Sequence, residues 1–200
     1  MSAVSIRRKD TLVFEKPPVI AAWAAVGGKR EGEGPLASGF DLLVEDSAFR
    51  AENCPGWENA ETLLQTKCAE LCLRKAGISA DRVTLAFLVD AYDEEVVDAE
   101  KNDVRTVLRL QAQCTASAYT MRGLGVPFAG LYGACSTMAE GLCLGAAFAG
   151  AGYSERTLVM TSSHFCAAER QFRTPLVYGG KRTPTAQWTA TAAGACLLRP

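Results

Sequence analysis

A run of small residues at 138–151 stands between two short apolar segments, Phe128–Tyr132 and 157–162. The spacing reads as strand, helix, strand, a parallel crossover that is right-handed by default. The helical run holds Gly141, Gly145 and Gly150 and five alanines. Each glycine inside a helix costs about 0.5–1 kcal/mol relative to alanine. A chain accepts that where a neighbour must approach the backbone closely, so this helix is expected to be buried and packed between layers. Its one charge, Glu140, lies in the first turn, where the helix dipole favours an acid.

The rest of the chain fits around that unit. Residues 11–26 read as an extended start broken at Pro17-Pro18, and 27–39 as a loop with five glycines and Pro35. Residues 57–76 carry apolar side chains at Trp57, Ala60, Leu64, Cys68, Leu71 and Cys72, close to a 3.6 period, with Glu58 and Glu61 in the first turn. Arg74 and Lys75 close that helix and Gly77 stops it. The unbroken apolar run 83–89 suits a strand covered on both faces. An acidic stretch, 90–103, leads into a helix over about 104–122, which 123–127 end. A short helix or ordered loop at 165–173, a loop at 175–184 and a last apolar strand at 190–198 complete the reading. Alternating strands and helices imply an α/β fold, with layers around a mixed, mostly parallel sheet.

Composition removes several function classes. Net charge is −1 over 200 residues, and no lysine- and arginine-rich block exists, so nothing argues for nucleic acid. The short cluster Arg7-Arg8-Lys9 reads as a solvated N-terminal tail. No signal peptide is recognisable, and the longest low-charge apolar stretch falls short of the roughly 20 residues a membrane helix needs. Eight cysteines (54, 68, 72, 114, 135, 143, 166 and 196) include no CxxC pair, and with His164 as the one histidine they form no zinc pattern. No metal is expected. Seven of the eight read as small buried hydrophobes in a reducing compartment.

The eighth is Cys135, in Gly133-Ala134-Cys135-Ser136-Thr137, at the tight turn between strand and small-residue helix. A thiolate or other anion there is favoured by the helix N-terminus. Two readings compete: a buried helix-start residue with Ser136 or Thr137 as the cap, or the floor of a pocket where Cys135 is nucleophile or ligand contact.

This turn resembles the nucleophile elbow of thiolase-like condensing enzymes. More of the chain resembles a narrower family, the stage V sporulation protein AD family of spore-formers. The matching strings are Thr11-Leu12-Val13-Phe14-Glu15, then Gly34-Pro35-Leu36 with Ser38, Phe40 and Asp41, then Trp57-Glu58 and Ala60-Glu61. Further on come Pro127-Phe128, Thr161-Ser162-Ser163-His164, Ala168-Glu169-Arg170-Gln171-Phe172-Arg173, Pro175 and Tyr178-Gly179-Gly180. The segment at about 91–109 resembles an insertion relative to that family. A thiolase fold pairs two similar halves. Residues 1–200 would supply the N-terminal one, and a second half is absent from these residues.

The resemblance implies a sporulation protein that binds dipicolinic acid, a small aromatic dicarboxylate, without catalysis. It would support uptake of that acid into the developing spore together with other stage V membrane proteins. Such a protein is cytoplasmic or peripheral at the spore inner membrane, with an oligomer left open. The ligand-binding candidates are Cys135, Ser136, Thr137, His164, Arg170 and Arg173. A helix N-terminus suits one carboxylate, and an arginine can clamp a second. No cofactor is implied. The alternative is a thiolase or ketoacyl-synthase-like acyltransferase, with Cys135 as the catalytic nucleophile and an acyl-CoA as substrate. A nucleophile of that kind needs a base within about 2.6–3.2 Å, and the chain offers one histidine for the task.

Overall fold

The computed structural model describes residues 5–8, 11–54, 56–90, 118–132, 136–164 and 190–200. Among them β1 (Ser5–Arg8) and β2 (Thr11–Phe14) form an antiparallel hairpin. Six strands build the main sheet: β3 (Val19–Gly28), β4 (Leu42–Val44), β5 (Leu85–Asp90), β6 (Phe128–Tyr132), β7 (Thr157–Ser163) and β8 (Ala192–Arg199). Their order is β4-β3-β8-β7-β5-β6. The pairs β4/β3, β7/β5 and β5/β6 are parallel, while β8 runs antiparallel to both β3 and β7. The sheet is therefore mixed and mostly parallel, as the sequence implies.

Among the described residues the α-helices are α1 (Trp57–Ala76), a helical segment α2 (118–124) and α3 (Thr137–Gly150). Side chains alternate across each strand, and the sheet's two faces follow from that period of two. Ala86 and Leu88 of β5, Leu158 and Met160 of β7 and Ala195 and Leu197 of β8 join the large core beneath α1. Their neighbours Phe87, Val159 and Leu198 face the other way, into a smaller cluster with Met138, Leu142 and Leu144 of α3. Among the described residues α1 and Met121 of α2 thus cover one face and α3 the other, an α-β-α half. Strands β6 and β7 lie on either side of β5, all three parallel, so the chain crosses from β6 over the sheet through α3 to β7.

Helix α1 buries Ala60, Leu64, Cys68 and Cys72 on β3, β7 and β8. It ends where expected. Gly77 takes the left-handed conformation (φ 68°), its N–H reaches Arg74 O, and the Ile78 N–H bonds Leu73 O at 3.1 Å. Ile78 then packs against the core, which completes a Schellman-type stop.

Helix α3 is buried along one stripe, Thr137, Gly141, Gly145 and Ala149. A Cβ on Gly145 would stand 2.8 Å from Leu198 Cδ1 and 2.9 Å from Val159 Cγ2. This is the close approach that the glycines imply. The outward face is open: Ala139 and Cys143 are exposed, and Phe148 keeps its edge-to-face contact with Phe87 (5.2 Å) while 38% exposed.

Two expectations need correction. Arg7 and Arg8 belong to a paired strand and not to a tail, because residues 5–8 find hydrogen-bonding partners in 11–14. Cys143 is exposed and not buried, since it falls on the outer side of α3. Cys68 and Cys72 are buried as expected, Cys54 and Cys196 half-buried, and all five thiols are free. Cys114, Cys135 and Cys166, the insertion at 91–109 and the segments 165–173 and 175–184 lie outside the described residues.

Candidate functional site

The carboxyl ends of the parallel strands meet along one edge of the sheet. Asp90 of β5 pairs with Tyr132 of β6 on one side and Ser162 of β7 on the other. Helix α3 opens beyond the end of β6, and His164 follows the end of β7. The edge that hosts sites in open α/β sheets therefore carries both the helix N-terminus and the only histidine. Ser136 occupies the N-cap position with no side-chain capping bond, and Thr137 is buried at the first turn. Cys135, Arg170 and Arg173 lie outside the described residues.

His164 is 1% exposed, and its Nε2 lies 2.9 Å from the carbonyl oxygen of Ser47. A carbonyl can only accept, so Nε2 carries the proton and donates. Ser47 sits in a tight turn organised by Asp46. One carboxylate oxygen of Asp46 accepts from the Ala48 N–H at 3.1 Å, the other from the Arg50 N–H at 2.9 Å. The Asp46 carbonyl also accepts from the Phe49 N–H at 3.0 Å. The Arg50 N–H bond, helped by the Ala48 bond and the Arg50 charge and opposed by burial, holds the Asp46 carboxyl below the ordinary carboxylate range. Phe49 is buried with φ 49°, a left-handed conformation uncommon for a bulky residue.

Beneath this edge lies a buried polar network that periodicity reasoning missed. The Ser162 hydroxyl donates to Glu61 Oε1 at 2.7 Å. Gln65 Nε2 donates to Ser162 Oγ at 2.6 Å, and the Thr120 hydroxyl donates to Gln65 Oε1 at 2.8 Å. All four residues are at most 3% exposed. They join α1, α2 and β7 immediately before His164. At about 100° per residue Glu61 falls between Cys68 and Cys72 on the helical wheel of α1, in the middle of the buried face. That placement is available from the sequence, and reading Glu61 only as a first-turn partner of the dipole overlooks it.

The thiols of α1 are chemically quiet. Burial pushes Cys68 and Cys72 up to about 12, and the Cys68 thiol donates weakly to the Ala24 and Ala193 carbonyls (3.5 and 3.4 Å). Among the described residues no cluster of His, Cys, Asp and Glu is arranged to hold a metal. Nor is any described helix long and apolar enough to cross a membrane.

Comparisons with known proteins agree with this architecture. The family described as "Stage V sporulation protein AD (SpoVAD)" matches residues 8–200. The stage V sporulation protein AD of Bacillus subtilis (strain 168) is 33% identical over 190 residues, 95% of this chain and 50% of that protein. The chain thus spans about half the length of that relative. A stretch of 50 residues is 48% identical to the glycine–tRNA ligase of Alkaliphilus oremlandii (strain OhILAs), but it covers 25% of this chain and 10% of that enzyme. Among solved structures, a variant of Xanthomonas campestris OleA bound with cerulenin superposes with a TM-score of 0.55 at 12% identity, over 92% of this chain and 57% of that one. The 3-oxoacyl-[acyl-carrier-protein] synthase III from Aquifex aeolicus VF5 gives 0.51 at 16% identity, over 92% and 54%. These neighbours fix the fold as thiolase-like. With its residues matched from 8 to 200, the chain belongs to the stage V sporulation protein AD family.

Proposed function

We propose that this sporulation protein is a non-catalytic binder of dipicolinic acid, and that it supports uptake of that acid into the developing spore. The observation that carries the reading is the shared edge: α3 begins and β7 ends at the carboxyl side of the same parallel strands, in a member of this family. The first turn of α3 offers backbone N–H groups to one carboxylate. Ser136 and Thr137 supply that end of the site and His164 the other, with Cys135 on its floor and Arg170 or Arg173 as the clamp on the second carboxylate. Delivery into the spore requires membrane-embedded stage V proteins as partners, which makes the protein peripheral at the spore inner membrane.

Calorimetric titration of the chain with dipicolinate tests the reading. Heat of binding that falls on Cys135→Ala or Arg170→Ala supports it. No heat from the unaltered chain sinks it.

One finding favours a second reading. The solved structures of similar fold include ketosynthases. An acyltransferase would attack an acyl-CoA with the Cys135 thiolate, form a thioester and release coenzyme A. Intact-mass spectrometry after incubation with acyl-CoA decides: an acyl adduct on Cys135 favours transfer chemistry, and an unmodified chain favours binding.

A further inference from the structure

The Asp46 turn and the Ser47 carbonyl aim at one atom of one buried ring. We propose that Asp46 is a positioning residue for His164, acting through the backbone of the turn 46–50. It would fix which ring nitrogen carries the proton and where the ring points at the ligand edge. This inference rests on the reading of His164 as part of the dipicolinate site.

His164 is almost wholly enclosed, and Nε2 is spent on the Ser47 carbonyl. The proton on Nε2 is therefore committed to that carbonyl. The Ser47 carbonyl has a definite direction only if its peptide is held. Asp46 holds it from both sides of the turn, with one carboxylate oxygen on the Ala48 N–H and the other on the Arg50 N–H. Phe49, in the same turn, is locked in the left-handed region with its ring buried, a conformation that persists only where its surroundings over-determine it. Lys67 Nζ stands 5.5 Å from that ring's centre, tying the turn to α1. The turn is thus a built support whose one carbonyl toward β7 meets His164.

A single histidine makes the test direct, because one imidazole gives one set of ring signals. The full chain labelled with nitrogen-15 should show His164 protonated at Nε2, with that N–H slow to exchange. In Asp46→Ala the exchange should quicken by about tenfold, the size expected from losing one or two ordinary hydrogen bonds. Asp46→Asn keeps one oxygen acceptor and should fall between the two. If Asp46→Ala does not fold by circular dichroism, Asp46→Asn carries the comparison. A ring unprotonated at Nε2, or ring signals unchanged in both variants, overturns the proposal. Dipicolinate titration then separates the two ideas. No binding by the unaltered chain sinks the proposed function, while the ring signals still decide the role of Asp46. Equal binding by the unaltered chain and a variant with a loosened ring removes His164 from the site, while the loosened ring itself upholds the positioning role of Asp46.

Discussion

The Ser162 hydroxyl donates to Glu61 at 2.7 Å, joining the end of β7 to the first turns of α1 inside an otherwise apolar interface. The same hydroxyl oxygen accepts from Gln65, which in turn accepts from Thr120. Three elements that meet below the carboxyl edge of the parallel strands are therefore registered by directional bonds, whereas apolar contacts alone would let them slide. Removing the hub should be felt throughout. Ser162→Ala should destabilise the chain by about 2 kcal/mol, the range for a buried hydrogen bond to an acidic group. Thr120→Val, which removes one peripheral donor, should cost about 1 kcal/mol. Urea denaturation of both variants checks the order, and equal losses would contradict a hub at Ser162.

Close packing of α3 on the sheet makes a second expectation. Gly145→Ala gains about 1 kcal/mol of helix propensity but drives a methyl to within 2.8 Å of Leu198 and 2.9 Å of Val159. Both neighbours are fully or nearly fully buried and have little room to yield. Overpacking costs about 1–3 kcal/mol and should outweigh that gain, for a net loss of up to about 2 kcal/mol. Gly123→Ala in α2 is the control, since nothing lies within 4 Å of its Cβ position. It should be neutral or slightly stabilising by thermal melting.

The strongly periodic parts of this chain were legible because one physical signal dominates each. Residues 57–76 show a 3.6 period closed by a glycine, and the helix has those bounds. Phe128–Tyr132 is a bounded apolar run, and the strand coincides with it. What was not legible depends on partners distant in sequence. Residues 5–8 are the exception, a run with Ile6 as its one apolar side chain that is a strand through local pairing with 11–14. Leu42–Val44 is too short to show a period and owes its strand to pairing with Val26–Gly28. Ser162 belongs to a string that marks the family, but its partners Glu61 and Gln65 lie about a hundred positions away, so their meeting follows from α1 lying on β7 and from no local pattern. The site was legible in part: the sheet edge and the placement of His164 and Thr137 along it followed from the strand–helix–strand spacing, whereas the Ser47 bond depended on a loop with no periodic signal.

Thiol chemistry should separate the cysteines by burial. Cys143 is exposed on α3, while burial pushes Cys68 and Cys72 up to about 12, which leaves almost no thiolate at pH ~8. Iodoacetamide at that pH should alkylate Cys143 in the native chain and leave Cys68 and Cys72 untouched. In denaturant all three should react. Peptide mapping that found Cys68 modified at the same rate as Cys143 would contradict the packing of α1.

The Asp41–Lys75 pair predicts an acid limb of stability. Lys75 Nζ bonds Asp41 at 2.7 Å and the Trp23 carbonyl at 2.9 Å, and it stands 4.3 Å above the Trp23 ring. Asp41 also accepts from the Ala25 N–H at 3.0 Å, and its own N–H bonds Ala25 O at 2.9 Å. Together they occupy the edge of β3 where β4 does not reach. The Lys75 bond, helped by the Ala25 N–H and the Lys75 charge and opposed by burial, lowers the Asp41 carboxyl from its ordinary 3.8. A carboxyl lowered by folding stabilises fully above its unfolded value and loses that contribution as pH falls through the folded one. The loss should therefore develop below about pH 4. Because the pair is partly solvated, its size should stay under about 1 kcal/mol. Denaturation between about pH 2 and 6 should show a steeper acid decline for the unaltered chain than for Asp41→Asn, with the two curves converging at the acid end. Parallel curves across that range would mean that Asp41 titrates alike in the folded and unfolded chain.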